Sequence, residues 1–314
     1  MDDFNCSIPT PPLIGSTRIF YVATCIVTII VSIALQTVFA ITCQKLKGWK
    51  SDFAFYLLQL MAIWSLLSYI GILVSYVHGL LLFDSHKLPR VAGSNYEGSF
   101  IAFITTNLCL TVHRLLYTLL PLRSQFILTA AVGRICIASI VLFYIVYMAV
   151  TLSPLASVKF CAALFYFYAG QAPLQNIISL MDRLLCYAAG IVNVTAYTIM
   201  FATLFIRGSL TFKRNREVQM TIQTALTSAF ELTLFICSAD LVKVLPDYWS
   251  VILRHYLFLI YYDVLLLPYL ILNETVKAEM KKFYRKRGST TPTLVRIDRF
   301  KIAPRGRQSI WSNP

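Results

Sequence analysis

Two acidic residues stand where an apolar environment makes a charge expensive. Glu231 lies midway along the apolar run Met220–Val242, and Asp263 lies midway along Val251–Asn273. An ionised, unpaired carboxylate at such a depth costs several kcal/mol. Each acid is therefore expected to be protonated, bound to a cation, or paired with polar groups such as Asn107 or Asn193. The plainer role is a single interhelical hydrogen bond that glues two helices together. A second pattern runs through Tyr96, Phe100, Phe103, Asn107, Leu110 and Arg114, which share one face of a 3.6-residue helix. Seventeen residues separate Glu97 from Arg114, about 26 Å of helical rise. The stripe is aromatic at one end, amide in the middle and cationic at the other. This order suits a helix with a small-molecule cavity at the aromatic end and a switch at the cationic end. Tyr96, Glu97, Phe100 and Phe103 are the expected ligand-facing residues. The competing reading is a central packing helix whose Arg snorkels to the interface.

The elements that must position these residues follow from composition. The chain has 314 residues, 58 % of them apolar and only 13 % charged, with a mean hydropathy of +0.68. Soluble domains carry about 25 % charged residues, so the chain reads as a membrane protein. Crossing about 30 Å of hydrocarbon takes roughly 20 apolar residues in a helix. Seven segments qualify: Ile19–Cys43, Phe53–Val77, Tyr96–Leu122, Arg134–Leu152, Leu184–Ile206, Met220–Val242 and Val251–Asn273. None shows the alternation of a membrane barrel strand. The expected fold is an all-α seven-helix bundle over residues 19–273, with tails at 1–18 and 274–314. The extra apolar run Phe160–Tyr168 is too short to cross and reads as a greasy lid in a loop, or else as an overlong fourth helix.

Charge sets the orientation. Of the 28 Lys and Arg residues, 21 fall in the connections after spans one, three and five and in the tail from 274, against seven on the other side. The positive side is expected to be cytoplasmic, which puts the N-terminus outside and the C-terminus inside. The net charge of +14 then has a membrane explanation, because acidic headgroups attract basic clusters beside spans. No soluble basic domain exists to hold nucleic acid. In the tail, Val276, Met280, Phe283 and Tyr284 fall at helical spacing among lysines and arginines. That pattern predicts a short amphipathic helix on the inner leaflet.

The first 17 residues lack the apolar centre of a cleavable signal. Asn5 heads an Asn-Cys-Ser glycosylation sequon on the expected outer side. Of eight cysteines, only Cys6 and Cys161 face that oxidising side. They would pair, or remain two free thiols. No ligand-spaced cluster of Cys, His or acid predicts a metal site, and nothing implies a cofactor.

The sequence Val112-His113-Arg114-Leu115, followed by Pro121-Leu122, resembles the end of span three in rhodopsin-like G-protein-coupled receptors. In that family an acid precedes the Arg, an aromatic follows it, and a Pro-Leu pair starts seven residues later. Here His113 replaces the acid and Leu115 the aromatic. Leu267-Pro268-Tyr269 stands where the family has Asn-Pro-x-x-Tyr, with only the Pro in common. Span two has no Asp, span four no Trp, and spans five and six no Pro. Seven spans, this length and a short basic tail are similar to the nematode serpentine chemoreceptors, in particular the Srg-type superfamily. The resemblance implies a plasma-membrane receptor that binds a small chemical cue outside and activates a heterotrimeric G protein inside. It implies that His113, Arg114 and Pro121 form the switch, and that Asp263 borders a sodium pocket.

Enzyme motifs are missing: there is no HExxH, GxSxG, P-loop or Gly-rich dinucleotide turn. A transporter or channel that uses Glu231 and Asp263 as a coupling site is the competing expectation. The odd span count and the lack of an internal repeat argue against the common two-halves transporter plan.

Overall fold

The computed structural model describes residues 15–45, 53–81, 87–120, 123, 128–156, 158–162, 165–206, 216–237, 247–272 and 276–282. Asn5, Cys6, Pro121, Phe283 and Tyr284 lie outside the described residues. The long helices are α1 (Ser16–Lys45), α2 (Phe53–Leu81), α3 (Lys87–Leu119), α4 (Ala130–Leu152), α5 (Gln175–Ile206), α6 (Arg216–Ile236) and α7 (Asp247–Leu272). A short helix, α8, covers Val276–Lys282.

Helix is forced on such runs, because backbone groups in hydrocarbon must pair within their own segment. Polar side chains obey the same rule by bonding to the carbonyl one turn back. Examples are Thr28 to Thr24 O (2.9 Å), Ser65 to Met61 O (2.9 Å) and Thr105 to Ile101 O (2.9 Å). The outward faces are greasy: Phe20, Ile135, Leu142, Ile191 and Phe205 are each more than half exposed. Among the described residues, five helices, α1 to α5, are long and apolar enough to cross a membrane. A sixth span is formed only if His255–Ile271 and Val276–Lys282 are taken together, and that pair is bent by 95°. The expected class, an all-α multi-pass membrane protein, is thus observed, with five to six such helices among the described residues. Among the described residues the apolar helical stretch of α6 is Ala225–Leu234, because Arg216, Glu217, Gln219, Thr221, Gln223 and Thr224 make its first half polar.

The helices close a ring in which α1 packs on α2 and α7, α6 on α7 and α5, and α3 on α2, α4 and α5. The most extensive interface is α2 against α3. Gly71 makes it possible: a Cβ there would stand 2.9 Å from the Ala92 carbonyl oxygen and 3.0 Å from Asn95 Nδ2. Asn95 Nδ2 donates to Leu67 O (2.5 Å) and its Oδ1 accepts from Tyr144 OH (2.7 Å), tying α2, α3 and α4 at one residue. Gly71→Ala is expected to cost about 1–3 kcal/mol through overpacking, read as a lower midpoint of thermal unfolding in detergent. An unchanged midpoint would show that the two helices do not pack this closely.

The run Phe160–Tyr168 is neither an irregular loop nor an extension of the fourth helix. It lies in an antiparallel hairpin, β1 (Val158–Cys161) paired with β2 (Tyr166–Ala169), in the register Val158 with Ala169. Aromatic, β-branched residues suit a strand, and the hairpin's rings cap the bundle. Phe160 and Phe165 pack on Tyr76, and Phe167 stacks on Tyr96 at 5.0 Å. Gly93 and Gly79 leave room for these rings and for Val158. Arg18 fastens the hairpin to α1 and α2. Its guanidinium donates to Gly79 O (3.2 Å) and Ala162 O (3.3 Å) and lies 5.1 Å from the Phe165 ring centroid. Arg18→Ala is expected to raise amide hydrogen exchange across the hairpin on the order of tenfold while leaving α7 unchanged. Equal protection in the two forms would mean that Arg18 does not hold the lid. Cys161 is disulfide-bonded, whereas Cys25, Cys43, Cys109, Cys136, Cys186 and Cys237 are free thiols.

Candidate functional site

Glu231 is the centre of the site. It is 1 % exposed and accepts three hydrogen bonds from three other helices. Asn107 Nδ2 of α3 donates to Oε2 (2.8 Å), as does Asn193 Nδ2 of α5 (3.2 Å), and Tyr261 OH of α7 donates to Oε1 (2.9 Å). Four helices therefore meet at one carboxylate through neutral donors. The sequence expectation that Glu231 pairs with Asn107 or Asn193 holds for both. Tyr261 was not among the expected residues. The signal for it is weak, a Tyr in an apolar run, although a buried phenol hydroxyl generally needs a partner.

Above the carboxylate lies a stack of rings. Tyr261 packs on Phe100 (5.6 Å) and Phe103 (5.8 Å), and Tyr262 packs on Phe103 (5.0 Å). Phe103 is fully buried, whereas Tyr96 and Phe100 are partly exposed. The structure thus joins Tyr96, Phe100, Phe103 and Asn107 into one wall from the hairpin down to Glu231.

Glu97 departs from that wall. Neighbouring residues on a helix project about 100° apart, so Glu97 turns to the α4 and α5 side while Tyr96 meets the lid. Glu97 Oε2 is 3.3 Å from Tyr147 OH, and the Asp182 carboxylate oxygens lie 3.4 and 3.5 Å from the same hydroxyl. The grouping of Glu97 with Tyr96, Phe100 and Phe103 is corrected accordingly. A carboxylate on the helix says nothing of which neighbour supplies its partner, so Tyr147 and Asp182 left no mark in the sequence.

Asp263 belongs to a different network. It accepts from Ser32 Oγ and from Gln36 Nε2 (3.0 Å), both on α1. Glu231 faces α3 and α5 while Asp263 faces α1, so the two acids are held by separate sets of partners. Tyrosines lace α2 to α7 nearby: Tyr69 OH donates to Leu259 O (2.8 Å), Tyr262 OH to Ser68 Oγ (2.9 Å), and Tyr76 OH bonds His255 Nε2.

At the other end of α3, His113 is buried with its ring against Phe53 (5.4 Å) and Tyr117 (4.8 Å). Among the described residues its Nδ1 has no hydrogen-bond partner. Arg114 is half-buried, and among the described residues its guanidinium makes no hydrogen bond or ion pair. Tyr197 OH bonds Thr111 Oγ1 at 2.9 Å, joining α5 to α3 between Asn107 and Arg114. A groove of about 430 Å³ opens instead on the outer face of α4, lined by residues such as Ile137, Val141 and Ile145 and by none of the expected ligand residues.

Fold and site define a multi-pass α-helical membrane protein with a buried carboxylate shared by four helices. The chain matches no protein-family model, and no curated protein shows a significant match to it.

Proposed function

We propose that this protein is a chemosensory G-protein-coupled receptor of the plasma membrane. It spans the bilayer seven times, with its amino terminus outside and its basic tail in the cytoplasm. It binds a small chemical cue at the hairpin-covered end and activates a heterotrimeric G protein at the Arg114 end. The observation that carries this reading is the series of contacts on α3 from the hairpin through Glu231 to Tyr197. Phe167 of the hairpin touches Tyr96, Phe100 touches Tyr261, and Tyr261 bonds Glu231, which Asn107 also bonds. One turn further, Thr111, three residues before Arg114 on α3, bonds Tyr197 of α5.

A cue seated among Tyr96, Phe100 and the lid changes how α3 and α7 pack, and so which arrangement of the inner ends is favoured. It acts only to the extent that it binds one arrangement more tightly than the other. The crevice at the inner ends of α3, α5 and α6 then takes the G protein, with Arg114 as its cationic contact. The aromatic wall favours a fairly apolar or singly cationic cue.

Chemical libraries screened on cells expressing the protein, with a second-messenger readout and Arg114→Ala cells as control, test the reading. A cue that raises the messenger in native cells alone supports it. Ion-dependent flux in reconstituted vesicles without any G protein would replace it with a transporter or channel.

A further inference from the structure

Cys109 of α3 and Cys136 of α4 point at each other across the helix interface, their sulfurs 3.5 Å apart. Both are free thiols and both are only partly buried. A disulfide needs sulfurs at about 2.05 Å, so these two, at 3.5 Å, have a short distance to close. The pair borders the lipid-facing surface, where Ile135, next to Cys136, is 65 % exposed, so an oxidant dissolved in the bilayer reaches it.

We propose that Cys109 and Cys136 form an oxidation site for organic hydroperoxides of the lipid phase, and that its product is a covalent link between α3 and α4. The chemistry balances in two steps. The sulfur of Cys136 attacks the peroxide; the O–O bond breaks, the thiol becomes a sulfenic acid, and the thiol proton leaves with the alcohol product. The sulfur of Cys109 then attacks the sulfenic sulfur, the S–S bond forms, and the hydroxyl departs as water with the Cys109 proton. Two thiols lose two electrons and one hydroperoxide gains them. The facing thiol is what diverts the sulfenic acid to a disulfide before over-oxidation.

The test is cumene hydroperoxide added to the full chain in lipid nanodiscs, followed by alkylation of remaining thiols and peptide mapping by mass spectrometry. The expected result is a disulfide-linked peptide pair holding Cys109 and Cys136, reversed by dithiothreitol. The two thiols should vanish together, on the order of tenfold faster than Cys43 or Cys186. In Cys109→Ser the link should be absent and Cys136 should carry sulfinic acid instead. Hydrogen peroxide at equal concentration should act more slowly. Independent oxidation of the two thiols, with no linked peptide in the native chain, would overturn the proposal. So would oxidation of Cys43 and Cys186 at the same rate. Neither outcome depends on what the protein signals.

Discussion

Replacing Arg114 by Ala is expected to reduce cue-stimulated second-messenger output to background while the protein still reaches the cell surface in normal amount. The two halves of this expectation have separate causes. Loss of output follows from the receptor reading, in which the guanidinium is the cationic contact at the inner end of α3. Survival of the fold follows from geometry: no described residue accepts a hydrogen bond from the Arg114 guanidinium or forms an ion pair with it, so its removal leaves no buried partner stranded. The helix gains a better former in exchange, since Ala has the highest helix propensity. Arg114→Lys separates charge from shape, because an ammonium keeps the charge but not the planar fork. Its output should lie between native and Ala. Surface biotinylation alongside the messenger assay decides the matter. Full output from Arg114→Ala at normal surface level would remove Arg114 from the mechanism.

Replacing Glu231 by Leu should destabilise the bundle by roughly 2–3 kcal/mol. Three buried donors, Asn107 Nδ2, Asn193 Nδ2 and Tyr261 OH, lose their acceptor at once. Each orphaned group costs about 1 kcal/mol, the scale of side-chain hydrogen bonds within membranes. Glu231→Gln keeps one acceptor oxygen and should lose less than half as much. The sharper measurement is a double-mutant cycle of Glu231→Leu with Asn107→Ala. The second change should cost about 1 kcal/mol less once the carboxylate is gone, because the partners act as a unit. Additive losses would mean that the four-helix junction is a coincidence of packing. Thermal unfolding in detergent, followed by a thiol-reactive dye at the free cysteines, reads all four forms.

The bonds of the junction also show why the site was only half legible. Asn107 and Glu231 are 124 positions apart in the chain. Sequence shows that a buried acid must find polar partners, and it names the amides that lie in apolar runs. It does not show the rotation of α6 that turns Glu231 toward α3 and α5, nor that of α7 that turns Tyr261 to Glu231 and Asp263 to α1. Glu97 marks the same limit. Its type and depth were readable, but one residue of offset from Tyr96 sends it to Tyr147 and Asp182 rather than to the lid. The hairpin was readable as a greasy cover and not as paired strands, because its pairing is set by the rings of Tyr76 and Tyr96 beneath it and by the Arg18 clasp.

The amino-acid sequence alone determined the solvent of this protein. Long uncharged runs can satisfy their backbone in hydrocarbon only as helices, and that follows from composition without knowledge of any neighbour. Tertiary structure decided which polar groups share a partner. A helix places its side chains all around its axis, and only packing against other helices selects the face that turns inward. The carboxylate held by four helices, the facing thiols of α3 and α4 and the clasped lid are all products of that selection.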